Sequence, residues 1–142
     1  MRFDANGLEI LDREECLTLM ASVPVGRIVF TDRALPAIQP VNFVLQGEDV
    51  IIATASGSKL AAATSGAIVA FEVDAFDAGD EAGWSVTVLG QARAVYDSGE
   101  LSGLSRLPLN PWIPGRRDHF IRIRSDVVSG RRIHPTMVEA RP

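Results

Sequence analysis

The chain has 142 residues with 46% hydrophobic and 23% charged content, which fits one globular domain spanning 1–142 and argues against long disorder. Its net charge of −4, from 14 basic and 18 acidic residues, lacks the basic excess of a general nucleic-acid binder. Cys16 is the single cysteine, which excludes an internal disulfide and a cysteine-based zinc site; no apolar run approaches the roughly 20 residues of a membrane span, and Met1–Asn6 carries no secretory pattern. The expectation is a soluble, cytoplasmic protein with no nucleic-acid or membrane partner.

Asp12 followed by Glu15 is a capping box with Leu11 and Cys16 at the staple positions, so a helix is predicted over about 12–22, stopped by Val23-Pro24. Cys16 on its apolar face reads as a small buried hydrophobe. From Gly26 the period changes: strands are predicted at Gly26–Thr31, Ala37–Leu45 and Val50–Thr54, the last two joined by the Gln46–Asp49 turn. Pro40 cannot donate to a ladder, so it marks an edge, a bulge, or a place where something other than a strand lies alongside.

Lys59–Thr64 reads as a short helix ended by Ser65-Gly66, and Ile68–Val73 as a buried strand. Asp74 to Ala82 is an acidic loop, whose Asp77, Asp80 and Glu81 look solvated rather than catalytic. A long strand runs from Trp84 to Tyr96, with Gly90 permitting a bend. Ser98–Leu107 can hold a short helix, and the proline-rich Pro108–Gly115 stretch with Trp112 is irregular. Strands at His119–Arg124 and Val127–Ile133 close the pattern. The total is six or seven strands with few short helices, a mainly β fold pictured as a small closed antiparallel barrel.

The most informative stretch is Ile52–Leu60. A strand ends in Thr54, Ala55, Ser56, Gly57 and Ser58 and opens a helix at Lys59, the only lysine beside thirteen arginines. Hydroxyls, a glycine, free N–H groups and one countercharge suit a phosphate monoester, though an ordinary capped helix with a surface lysine has the same look. No Walker A spacing or Gly-x-Gly-x-x-Gly fingerprint is present. His119 and His134 share no metal-ligand spacing.

These pieces, in this order, resemble the pyridoxamine 5′-phosphate oxidase-like family of FMN-binding split β-barrels. The likeness is greatest to its compact actinobacterial-type members and the related nitroimidazole-resistance proteins. It runs from about Leu11 to Ile133, through Val25–Ile28, Pro40–Phe43, Thr54–Lys59, Phe71–Asp74, Gly83–Ala92, Trp112–Gly115 and Ser129–Ile133. The resemblance implies a six- to seven-stranded antiparallel split barrel, a homodimer, and flavin held in grooves between the two barrels. Thr54, Ala55, Ser56, Ser58 and Lys59 would then hold the FMN phosphate, and Val41, Asn42 and Phe43 would run along the isoalloxazine. Trp84 and Ser85 would approach the phosphate side, while Trp112 and Arg116 would close over the flavin from the partner subunit.

Each role has a structural rival. Trp84 can be core or interface packing, Trp112 core, Asn42 a solvent-facing strand position, and Arg116 a solvated charge. The functional expectation is a small flavin-dependent oxidoreductase acting on an unidentified small molecule. A deazaflavin is the alternative cofactor, its anionic tail needing Arg27, Arg93, Arg116 and Arg117. A flavin-binding module without turnover is the alternative from another class. Arg132-Ile133-His134 also resembles the Arg-x-His element with which true oxidases hold pyridoxal phosphate, but the remaining contacts of those oxidases have no match.

Overall fold

The computed structural model describes residues 1–55, 59–112 and 119–134. Strands β1 (Arg2–Phe3) and β2 (Glu9–Leu11) lead into helix α1 (Arg13–Ala21). Asp12 caps α1 as predicted, its carboxylate accepting the Glu15 N–H at 2.8 Å. Cys16 and Met20 turn inward, and burial raises the Cys16 pKa, so the thiol is an inert core side chain.

Strands β3 (Val25–Asp32) and β4 (Leu35–Asn42) form a hairpin whose two central residues, Arg33 and Ala34, have φ of +52° and +66°. A mirrored two-residue turn demands such angles, and glycine or asparagine usually supplies them. Phe43 interrupts the run before β5 (Val44–Gln46), which turns back at Gly47 into β6 (Asp49–Thr54). Helix α2 (Lys59–Thr64) follows, then β7 (Ile68–Asp77), β8 (Ala82–Ala94), α3 (Ser98–Leu104), β9 (His119–Ile123) and β10 (Val127–Ile133).

Ten strands are described against six or seven predicted. The additions are β1, β2 and the separation of β5 from β4. All the pairings are antiparallel, in the order β1-β2-β10-β8-β7-β3-β4, with β5-β6-β9 branching from the far end of β8. One edge of β8 serves both branches: residues 83–89 pair with β10, and residues 92–94 pair with β9. Gly90 sits at the changeover, where the chain linking β9 to β10 crosses it so closely that a Cβ would lie 1.6 Å from the Arg124 carbonyl oxygen. The predicted bend at Gly90 is therefore a crossing point.

The closed barrel pictured from the sequence is corrected by the structure, because the sheet does not close. Among the described residues β4 pairs only with β3, and β5 only with β6. Pro40 has no N–H, and the Phe43 N–H is given to the Pro24 carbonyl at 3.3 Å. The wall is thus open between β4 and β6. Inside it, Phe71 meets Phe43 edge-on at 4.9 Å between ring centres and fills the space that Gly26 leaves. Ile28, Val73, Val86 and Val88 complete the centre of the core.

Candidate functional site

The opening between β4 and β6 is a cavity of about 520 Å³. Gln39, Pro40, Val41 and Asn42 form one wall, and Ala53, Thr54 and Ala55 form the facing one. Leu60 of α2, Val25 of β3, and Leu109, Pro111 and Trp112 complete its lining. Pro40 falls where the sequence allowed it, on an edge strand bordering a space rather than a neighbour.

Gln39 is opposite Ile28 in the ladder and so on the inward side of β4, yet it is exposed because no strand covers it. Thr54 is buried and its hydroxyl donates to the His119 carbonyl at 3.5 Å. None of the described lining residues is ionisable. Among the described residues the cavity therefore offers apolar walls, three neutral polar side chains and no acid, base or nucleophile. Such walls suit a flat, largely apolar body.

Asn42 organises one side of this cavity. Its amide nitrogen donates to the Pro24 carbonyl at 3.3 Å, and its Oδ1 accepts the Trp112 backbone N–H at 2.9 Å. The 107–112 segment is thereby strapped onto the end of β4. On the other side of the strap is a second cavity of about 530 Å³, bordered by Pro24, Phe43, Leu45 and Pro108. The Trp112 side chain is 71% exposed and borders both.

Of the expected site residues, Val41, Asn42, Thr54, Ala55 and Trp112 converge on the first cavity. Phe43 lies beside it, but its ring is buried against Phe71, so only its backbone faces outward space. Trp84 and Ser85 are not brought to this cavity. Trp84 packs against the core opposite Arg132, and Ser85 stands between Arg131 and Asp74. Ser56, Ser58 and Arg116 lie outside the described residues, as does the side chain of Lys59, whose backbone opens α2.

Sequence reasoning missed Val25, Gln39, Ala53, Leu60, Leu109 and Pro111 as site residues. A polar residue at an inward position of an apolar strand, Gln39, was the one usable signal.

Of the arginines singled out from the sequence, Arg116 and Arg117 lie outside the described residues, and Arg27 and Arg93 are engaged elsewhere. Arg27 bridges Glu72 and Asp74 at 3.1 Å each, and Arg93 pairs with Glu100 at 2.7 Å. Neither borders the cavity, so neither stands ready for an anionic cofactor tail there. Arg132 and His134 both turn to the buried Glu9 carboxylate, a structural use of the Arg-x-His element. The Asp77 carboxylate accepts N–H bonds from Gly79 and Asp80, which makes the acidic loop a self-satisfied turn.

An open antiparallel split barrel with a neutral, apolar cleft in its seam defines a class of cofactor- and ligand-binding proteins. Residues 12–132 match the model of the pyridoxamine 5′-phosphate oxidase family, and the chain belongs to that family. An uncharacterized Mycobacterium tuberculosis protein is 41% identical over 128 residues, covering 87% of this chain and 84% of its own length. Among solved structures, the FAD binding protein from Mycobacterium smegmatis is 40% identical with a TM-score of 0.76, covering 88% of this chain and 98% of that one. A Corynebacterium diphtheriae protein of unknown function is 37% identical with a TM-score of 0.74, covering 87% and 96%. No helix among the described residues is long and apolar enough to cross a membrane.

Proposed function

We propose that this chain is a flavin-binding oxidoreductase that works as a homodimer on a small-molecule substrate. The observation that carries the reading is the cavity in the barrel seam, lined by apolar and neutral polar groups and free of ionisable ones among the described residues. Such a site supplies shape and orientation and leaves electron transfer to a bound cofactor. Val41, Gln39 and Asn42 would border the isoalloxazine, and the 54–59 segment would receive the phosphate, as family resemblance implies. A flavin held there would supply hydride or single-electron transfer. The FMN portion is common to FMN and to the FAD that the M. smegmatis relative binds, so either fits this part of the site.

Titration of the purified apo-protein with FMN, followed by flavin fluorescence and visible absorption, tests the proposal. Low-micromolar or tighter binding with a shifted spectrum is expected, then bleaching when a reduced pyridine nucleotide or another donor is added. Absence of flavin binding would overturn the reading. Binding without reduction by any donor would leave a flavin-binding module and remove the oxidoreductase.

A further inference from the structure

The cavity on the far side of the 107–112 strap, of about 530 Å³, falls within the roughly 300–1,000 Å³ range of small-molecule sites. It shares three lining residues with the seam cavity: Asn42, Leu109 and Trp112. A molecule in either cavity would therefore rest against the same three residues, and the strap is the partition between them. The remaining walls come from other elements. Residues 21–24 bring the end of α1 and the turn after it, and Val44 and Leu45 bring β5.

This cavity differs from the seam in facing the C-terminal end of a helix. Ala21 and Ser22, at the end of α1, border it, and the last turn of α1 holds no basic residue. The Ser22 N–H and hydroxyl both turn back to the Leu19 carbonyl. The last carbonyls of a helix carry the negative end of its dipole, which repels anions and attracts hydrogen-bond donors. No cationic side chain in that turn offsets the field. Among the described residues lining the cavity none is ionisable; the polar side chains are Ser22, Asn42 and Asn110, and Asn42 is already committed to Pro24 and Trp112. Val23, Leu45 and Pro108 make the walls between them apolar. These groups complement an uncharged, ring-sized molecule that presents a donor, and they disfavour a phosphate or carboxylate.

Resting on the flavin reading above, we propose that this second cavity is the substrate pocket, and that it takes an uncharged, flat molecule whose donor group faces the end of α1. Trp112, which borders both cavities, then stands between cofactor and substrate.

The test is titration of the full chain with 2-naphthamide and with 2-naphthoate, each with and without FMN, followed by the Trp112 indole resonance. The two probes share one ring system and differ in a neutral donor against an anion. Naphthamide is expected to bind at about millimolar or tighter and to leave FMN affinity unchanged, with naphthoate weaker by about fivefold or more. Ala21 is exposed and borders the second cavity but not the seam. Ala21→Trp should therefore fill the pocket, abolish naphthamide binding and keep both FMN affinity and melting temperature. Ser22→Lys, which sets a cation at the helix end, should turn the preference toward naphthoate. Equal binding of the two probes by wild type, or tighter naphthoate, overturns the uncharged class. Naphthamide that competes with FMN, or that still binds Ala21→Trp, occupies the seam and overturns the second pocket. FMN binding with no naphthamide binding overturns the pocket and leaves the flavin reading standing. Naphthamide bound by a chain that takes no flavin overturns the substrate role together with that reading.

Discussion

Asn42 does its work through two ordinary hydrogen bonds rather than through any reactive property. It holds Trp112 over the seam cavity and fixes the end of β4 to Pro24. Asn42→Ala releases the strap, and flavin affinity should fall on the order of tenfold, the equivalent of about 1.4 kcal/mol. Asn42→Asp keeps the acceptor for the Trp112 N–H, so amide exchange at Trp112 should stay slow in Asn42→Asp and become fast in Asn42→Ala. Exchange that is equally slow in both variants would mean that the strap does not depend on this side chain.

Glu72 gives a second residue-scale prediction. Burial first, and then the adjacent Asp74 carboxylate, push its pKa up to about 7, against the pull of Arg27. The folded protein therefore binds a proton that the unfolded chain releases near the ordinary carboxylate value of 4.5. This contribution to stability is present below that value and is lost as the pH rises through about 7. Glu72→Gln mimics the protonated acid, so it should melt close to wild type at pH 4 and above it at pH 8. A variant that melts below wild type at pH 8 would reverse the sign and refute the assignment.

At the scale of elements, β8 is the member on which both branches of the sheet depend. Gly90→Ala drives a Cβ into the Arg124 carbonyl, a backbone atom that cannot swing aside, and should cost about 3 kcal/mol. Gly103→Ala in α3 meets nothing within 4 Å, and should be neutral or stabilising by up to about 1 kcal/mol. Urea melts of the two variants make the comparison, and similar midpoints would show that the crossing at Gly90 yields more easily than its geometry implies.

The long elements were legible because their signals are local: the Asp12 cap, the β-branched run after Gly26, the apolar alternation from Val86 to Ala92. Strands β1 and β2 were not, since two and three residues carry no period and β2 takes its partner from β10, far along the chain. The open seam was half legible. Pro40 marked an edge, but whether β4 finds a neighbour across the barrel depends on where β6 ends up, which no local pattern encodes. Thr54 was legible in the hydroxyl-rich loop and Val41 and Asn42 through the family resemblance, whereas the irregular segment of Leu109 and Pro111 gave no direction.

At the scale of the molecule, the outer face of the larger sheet remains to be accounted for. Register places Val127, Leu89, Ala70, Val29 and Ile38 in one row across five strands, about 19 Å wide at the usual strand spacing. Val127, Leu89 and Ile38 in this row are exposed, Ile38 to 67%, and Ile68 beside it is exposed too. An isolated exposed leucine needs no explanation, but a contiguous apolar row on a sheet face marks an association surface. The homodimer proposed above is the natural occupant, because β4 carries the row on one face and the seam cavity on the other. Covering the row would fix β4 and so shape the seam cavity behind it. Leu89→Glu places a charge in the middle of the row, on a strand whose fold-determining contacts lie on the opposite face. Light scattering should give twice the chain mass for wild type and the single-chain mass for the variant, with unchanged circular dichroism. Flavin affinity should fall with dimer content, and excess protein should restore it by mass action. A wild type that is monomeric at micromolar concentration, or a monomeric variant with full flavin affinity, would detach the outer face from the site.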